Sequence, residues 1–334
     1  MSIKYAGLLL LLGAGAAEAQ KTDSVWIRNG DRITGEVKSL SRGLLKYSTD
    51  DLGTISIEWD KVARINTTTI LEVQLRSGRK FYGSLGSGPG GSLVLGADTL
   101  PLAETVAMVP IEERHLSRLT GYLDLGFSYQ KAHKTAQLSS GARVVYRAPT
   151  VETALELTTF LEDRDDAPRT SRFTGSLTER LFPANRWSAG VVLGYDRNDE
   201  LDLAGRARLV GFGTRTLTQS NQAELRASAG LVLIREEYFS TDSTTGGVEG
   251  LLATAFRAFR YDHPKLDGYV SVQAFPSLSI PGRVRLQADL RLSYELVEDF
   301  MLTGTVFDSY DSKPQAAGAE KNDFGTTLAI TWTF

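Results

Sequence analysis

The chain has 334 residues, a formal net charge of −3 and no cysteine. This length suffices for one large domain or two. The slight acidic excess argues against nucleic acid as a partner, because surfaces that bind nucleic acid are basic. Without cysteine there is no disulfide framework, no thiolate metal site and no N-terminal lipoprotein anchor.

The first 19 residues have the pattern of a secretory signal peptide. Lys4 supplies the positive start, the leucines at 8–12 form the apolar centre, and residues 17–19 make a small-x-small cleavage site. We therefore expect an exported mature chain that begins near Gln20. Nothing later approaches 18 continuous apolar residues, so integration into a membrane would have to use strands.

Residues 20–112 contain an internal repeat, with copies at about 21–66 and 69–112. Segment 25–37 aligns with 73–85, and each has a strand, an Asn-Gly or Ser-Gly turn and a second strand. Each copy holds five short strands, which predicts a duplicated SH3-like or Sm-like β-module. Three aromatic residues could line a peptide or glycan groove, but we favour packing in the core or between the two copies for them: Trp26, Trp59 and Tyr82.

After a linker at 113–118, apolar and polar residues alternate with a period of two up to the end of the chain. In the clearest case, every second residue from Val284 to Leu296 is apolar and most residues between them are charged. Most of the predicted segments are long enough to cross a bilayer as tilted strands. The pattern predicts twelve strands, at about 119–130, 136–147, 150–162, 171–182, 186–197, 202–215, 221–237, 247–262, 266–275, 283–297, 299–309 and 322–334.

The connections between these segments alternate between short and long. If the first strand begins in the periplasm, the periplasmic turns should be short and the opposite loops longer. The short set lies at 148–150, 183–185, 217–220, 262–265 and 298. The sequence therefore predicts an all-β protein, with a 12-stranded antiparallel transmembrane β-barrel at 119–334, and disfavours a soluble sandwich.

The final strand has an apolar face that ends on aromatic residues: Leu328, Ile330, Trp332 and Phe334. This face resembles the closing-strand signal that the barrel-assembly machinery of the bacterial outer membrane reads. A periplasmic β-module followed by such a barrel resembles the salt-induced outer-membrane protein family, a barrel of unknown function. The resemblance covers about 119–334 and, more weakly, 21–112. It implies a location and a fold, and it supplies no reaction.

Positions expected to face the barrel lumen carry charges of both signs: Arg143, Arg147, Glu152, Glu156, Arg206, Arg208, Glu224, Arg226, Arg283, Arg285, Asp289, Arg291 and Glu295. Two interpretations compete. Cross-strand pairs could form a neutralised lattice that fills a narrow lumen, or opposed basic and acidic walls could create the field of a pore constriction. We favour the narrow, self-neutralised lumen because both signs interleave on neighbouring strands.

No catalytic or metal-binding motif stands out. A lipid-modifying barrel enzyme needs a His beside a Ser near the outer rim, and His133 lies there with Ser128, Ser139 and Ser140 nearby in the chain. Ser128, however, falls on the lumen phase. The acidic cluster at 162–166 could bind Ca²⁺ but lacks the glycine and terminal glutamate of a calcium loop. We expect no catalytic residue, no metal and no cofactor.

The sequence thus predicts a non-enzymatic outer-membrane protein with its N-terminal module in the periplasm. Its expected role is envelope adaptation or small-solute passage through a narrow charged lumen. The expected partners are outer-membrane lipid and lipopolysaccharide, the barrel-assembly machinery, and peptidoglycan or a periplasmic protein. Two alternatives stay open: a barrel that anchors a peptidoglycan- or protein-binding module, and a lipid-modifying enzyme.

Overall fold

The computed structural model describes residues 21–111, 118–131, 134–164, 167–183, 186–199, 203–240, 244–298, 300–314 and 320–332. The predicted signal peptide, nearly all of the linker, His133 and Phe334 lie outside these residues. No helix in the described ranges is long and apolar enough to cross a membrane.

The first copy of the repeat is a five-stranded antiparallel meander with one short helix. Strand β1 pairs with β2 and β5, β2 pairs with β3, and β3 pairs with β4. The elements are β1 (Asp23–Ile27), β2 (Arg32–Ser41), β3 (Leu44–Ser48), β4 (Thr54–Glu58), a 3-10 turn (Trp59–Lys61) and β5 (Val62–Asn66).

The second copy has the same order of elements, with β7 and β8 together in the place of β2. Strand β6 pairs with β7 and β11, and β9 pairs with β8 and β10. The elements are β6 (Leu71–Leu75), β7 (Lys80–Gly83), β8 (Gly86–Ser87), β9 (Ser92–Leu95), β10 (Asp98–Pro101), a 3-10 turn (Leu102–Glu104) and β11 (Thr105–Pro110). The repeat in the sequence therefore follows a repeat in the structure.

The two copies, called the module below, share one hydrophobic core. Met108 of β11 pairs with Leu40 of β2, and the buried Trp59 donates its indole N–H to the Leu102 carbonyl oxygen at 3.0 Å. Trp59 therefore joins the two copies and does not line a groove. Trp26 lies between the guanidinium groups of Arg32 and Arg64, and the half-exposed Tyr82 donates its hydroxyl to Glu72.

The rest of the described chain forms one 12-stranded antiparallel sheet in which each strand pairs with the next along the chain. This result confirms the predicted number and order of strands. The strands are β12 (Leu119–Gln130), β13 (Thr135–Arg147), β14 (Val151–Arg164), β15 (Ala167–Leu181), β16 (Trp187–Asn198), β17 (Leu203–Gln219), β18 (Ala223–Tyr238), β19 (Thr244–Arg260), β20 (Leu266–Pro276), β21 (Val284–Val297), β22 (Phe300–Asp311) and β23 (Asn322–Trp332).

The sheet is not closed as a barrel. Its pairing runs from β12 to β23 and, among the described residues, does not join those two strands. Both strands expose nearly all their side chains, and Leu125 and Leu328 are 72% and 71% exposed. The predicted sheet is present without the predicted closure. Closure depends on strand tilt and stagger as well as strand number, whereas a period of two reports only which face each side chain occupies.

The two faces of the sheet differ in chemistry. On β21, Leu290 and Leu292 lie on the apolar face, while Arg285, Gln287 and Asp289 lie on the opposite, polar face. A row of leucines crosses five neighbouring strands in register on the apolar face, and each is at least 39% exposed: Leu155, Leu177, Leu193, Leu209 and Leu233. Such a wide exposed apolar band needs a cover other than water.

Candidate functional site

Ion pairs between neighbouring strands cover much of the polar face. Most of these side chains are partly exposed, so each pair alone contributes little stability. Charges of both signs nevertheless alternate along the sheet and do not separate into a basic and an acidic wall. The pairs that join adjacent strands are Arg143–Glu156, Arg180–Glu152, Arg206–Glu236 and Arg208–Asp196.

One ion pair on this face has an almost fully buried carboxylate. Arg285 on β21 reaches past β20 to Glu249 on β19, with Nε 3.0 Å from Oε1 and Nη2 2.5 Å from Oε2. The Glu249 side chain is 4% exposed, and the Arg285 guanidinium lies 5.1 Å over the centre of the Phe275 ring. This two-pronged geometry is the strong form of an arginine–carboxylate contact.

Other predicted lumen charges lie on the polar face or at its rims. At the end of the sheet away from the module, Arg283 Nη2 is 2.6 Å from Asp311 Oδ2. Glu224 and Arg226 contact each other within β18. Asp289 accepts a hydrogen bond from the Ser271 hydroxyl at 3.1 Å, and Arg291 is exposed on the same strand as Asp289.

Glu295 differs from the other predicted lumen charges because its side chain is fully buried. Its carboxylate accepts the Lys265 backbone N–H at 2.7 Å, and lies 3.0 Å from the Lys265 ammonium and 2.9 Å from His263 Nδ1. Glu295 therefore holds the turn between β19 and β20. This contact could not be predicted from the sequence, since 32 residues separate His263 from Glu295.

Arg147 has a different partner from the one its sequence position suggests. Its backbone lies opposite Glu152, but Arg180 on the other side of β14 takes that carboxylate at 3.1 Å. The Arg147 guanidinium instead lies 4.0 Å over the Phe182 ring and 3.6 Å from Glu72 of the module. Arg147 therefore does not pair with Glu152 in this structure, because the module supplies a competing carboxylate.

The module contacts the end of the sheet that carries the short turns. Lys61 Nζ is 2.7 Å from Asp262 Oδ1, and the Asn221 side-chain amide donates to the Thr105 carbonyl oxygen at 2.9 Å. Arg186 donates to the Arg76 carbonyl oxygen. These contacts come from the turns after β15, β17 and β19, so the module is held at three turns of this end of the sheet.

Two turn glycines of the module permit this close approach. Gly43 and Gly78 have φ angles of 72° and 88°. A Cβ at Gly43 would lie 2.5 Å from the Asn221 carbonyl oxygen, and one at Gly78 would lie 2.4 Å from the Arg186 side chain. Glycine is needed at both turns for the backbone conformation and for the contact with the sheet.

Carboxylates of Glu58, Asp60 and Asp262 lie within 4.8 Å of one another where the module meets the sheet. Lys61 already supplies a positive charge there. Its hydrogen bond lowers the pKa of Asp262 below the usual aspartate value, while burial and then Asp262 raise the pKa of Glu58. Because the Asp262 pKa is lowered, the stability that ionised Asp262 gives to the folded protein is fully present above the usual aspartate pKa. This stability is lost as the pH falls through the lowered value. This docking pair therefore stays charged at neutral pH.

The leucine row of the apolar face lines a cavity of about 540 Å³, and several more cavities lie against the polar face. One of about 290 Å³ is lined by residues of β17 to β21. A second, of about 470 Å³, lies between the second copy of the repeat and the part of the polar face nearest the module, and is called the chamber below. The charged face and the docked module together form the candidate functional site.

These features define a class of protein: an all-β chain whose duplicated module covers one end of a 12-stranded antiparallel sheet with one exposed apolar face and one charged face. The chain belongs to the family described as "Protein of unknown function, DUF481", whose sequence model matches residues 123–334. The match spans the large sheet and leaves the module outside. No curated protein and no solved structure matches the chain.

Proposed function

We propose that this protein is an integral outer-membrane β-barrel with a narrow charged lumen and a periplasmic module. The observation that carries the proposal is the continuous exposed apolar band backed by a charged face. Lipid is the environment that such a band suits, with polar groups turned to the interior. The proposed role is non-enzymatic, in envelope adaptation or small-solute passage. The resemblance to the salt-induced outer-membrane family implies the location and the fold.

The register of the sheet supports closure in the membrane. Followed across neighbouring strands, the row that starts at Leu119, at the module end of β12, arrives at Val284 and Ser312, at the opposite end of the sheet. The pairing thus shifts by about one strand length around the sheet, which is the kind of stagger that a tilted barrel requires.

The directions of the two edge strands also allow them to pair. With twelve strands in antiparallel order, β12 and β23 run in opposite directions, so they can form one more antiparallel pair. Open edges are not tolerated in a lipid core, because their N–H and C=O groups would lack partners. We therefore infer that β12 and β23 pair once the protein is inserted, with Leu125 near Thr326 on the apolar face.

We expect a disulfide to form across this seam. The chain has no cysteine of its own, so Leu125→Cys can be combined in turn with Cys at Phe324, Thr326 or Leu328. A disulfide needs Cα atoms within about 7 Å. One of the three pairs should cross-link on oxidation in outer membranes, as a shift on non-reducing gels. Leu125→Cys with Leu193→Cys on β16 is the control and should not cross-link. If none of the three pairs formed a disulfide, the inference that β12 pairs with β23 would be wrong.

The location is tested by fractionation. The mature chain should begin near Gln20, co-fractionate with outer membrane and migrate faster on gels when left unheated, because a closed barrel resists detergent. In planar bilayers a lumen filled by paired charges should show little stable conductance. Recovery as a soluble periplasmic monomer would overturn the proposed function, and a large steady conductance would replace the narrow lumen with an open pore.

A further inference from the structure

The chamber has the size and enclosure of a small-molecule site. Its volume of about 470 Å³ falls in the range of typical ligand pockets. The module forms its floor through Glu72, Gln74 and Lys80, and the polar face forms its walls. It is therefore built jointly by the two parts of the chain and exists only while the module is docked.

Cationic side chains outnumber acidic ones around the chamber. Its lining includes five cationic residues, Lys80, Arg147, Arg180, Arg186 and Arg226, and two acidic residues, Glu72 and Glu224. Glu72 is shared between Lys80 Nζ at 2.9 Å and Arg147 at 3.6 Å. One carboxylate therefore balances two cations, which leaves a positive excess at the floor.

Arg186 adds to this excess. It donates hydrogen bonds to the carbonyl oxygens of Leu217 and Arg76, which are uncharged. Its Nε atom is buried and has no hydrogen-bond partner among the described residues. Because carbonyl oxygens carry no formal charge, the Arg186 charge adds to the positive excess of the lining.

Aromatic and apolar surfaces complete the lining. Phe182 lies under two cations, with Arg147 4.0 Å and Lys80 5.4 Å from its ring centre. Phe212, Leu251 and Tyr269 line the chamber as well. A ligand that fits this lining needs an anionic group for the cations and an apolar or aromatic body for the rings.

We propose that the chamber binds a small organic anion with an aromatic or apolar body, which would be the solute that this lumen admits or retains. The proposal deepens the proposed function and rests on it for the route of access. The module then serves as the floor of a binding site, and its displacement would open that site to the periplasm.

The test is calorimetric titration of the refolded full-length protein with benzoate and phenyl phosphate, with benzyl alcohol and benzylammonium as neutral and cationic controls. We expect saturable binding of the anions and at least tenfold weaker binding of both controls. Arg147→Gln should raise the Kd roughly tenfold, as for the loss of one charge-assisted hydrogen bond. Arg143→Gln, on the same strand and face but outside the chamber, should leave the Kd unchanged.

A second pair of variants tests the floor without altering the lining. Gly43→Ala should push the module away from Asn221 and weaken benzoate binding. Gly90→Ala, at a turn with φ 64° and no atom within 4 Å of the new Cβ, should not. Equal binding of benzoate and benzyl alcohol, or of the Arg147→Gln and Arg143→Gln variants, would overturn the proposal. Heat-dependent gel migration measures barrel formation independently of binding. A protein that forms the barrel but binds no anion would therefore overturn the binding site and leave the proposed function standing.

Discussion

Glu249→Gln should destabilise the folded protein by about 3–5 kcal/mol, the usual cost of removing one partner from a buried ion pair. The Glu249 side chain is 4% exposed and takes both prongs of the Arg285 guanidinium. Glutamine keeps the shape but leaves the arginine charge without its counterion. The loss should appear as a lower midpoint of urea unfolding for the refolded protein. Unfolding is measured by the gel migration of unheated samples.

A matched control comes from the same face. Glu156 also pairs with an arginine, Arg143, but its side chain is 49% exposed. Glu156→Gln should therefore cost less than about 1 kcal/mol. The double variant Glu249→Gln with Arg285→Gln should recover part of the loss, because it removes the unpaired charge as well. Equal effects of Glu249→Gln and Glu156→Gln would mean that water fills the interior and screens both pairs.

The strands of the large sheet were predictable because each one presents the same simple signal. Every second side chain is apolar and lies on the same face of the sheet, and the alternation ends where the strand ends. The prediction of 119–130 matches β12, and 283–297 matches β21 to within one residue. The prediction of 171–182 starts four residues later than β15, because the strand already begins at Ala167, before Pro168, where the alternation of apolar and polar residues is not yet visible.

The site was less predictable, because it depends on contacts between distant parts of the chain. Strand phase placed the arginines and glutamates on one face, but it could not show that Glu72 of the module would draw Arg147 away from Glu152. Nor could it show that Glu295 would hold the turn at His263. The glycines at 43 and 78 looked like ordinary turn residues, and their contacts with Asn221 and Arg186 appear only in three dimensions.

Strand closure is the step on which the membrane interpretation depends, and the apolar face offers its most sensitive test. Leu290 and Leu292 are exposed on that face, at 43% and 47%, near the middle of β21. If this face meets lipid, arginine at either position should cost about 2–4 kcal/mol near the bilayer midplane. The loss should appear as a lower urea midpoint in lipid vesicles and reduced recovery in outer membranes.

Gln287→Arg is the matched control, because Gln287 lies on the same strand and faces the charges of the polar side. This variant places the same arginine side chain near water and carboxylates, so it should lower the free energy of unfolding far less. The difference between Leu290→Arg and Gln287→Arg should also shrink in water-soluble conditions, since an exposed arginine on a wet surface costs little. An equal loss of stability for both variants in vesicles would contradict the assignment of the two faces, and with it the barrel. A larger loss for Gln287→Arg would place the charged face against lipid.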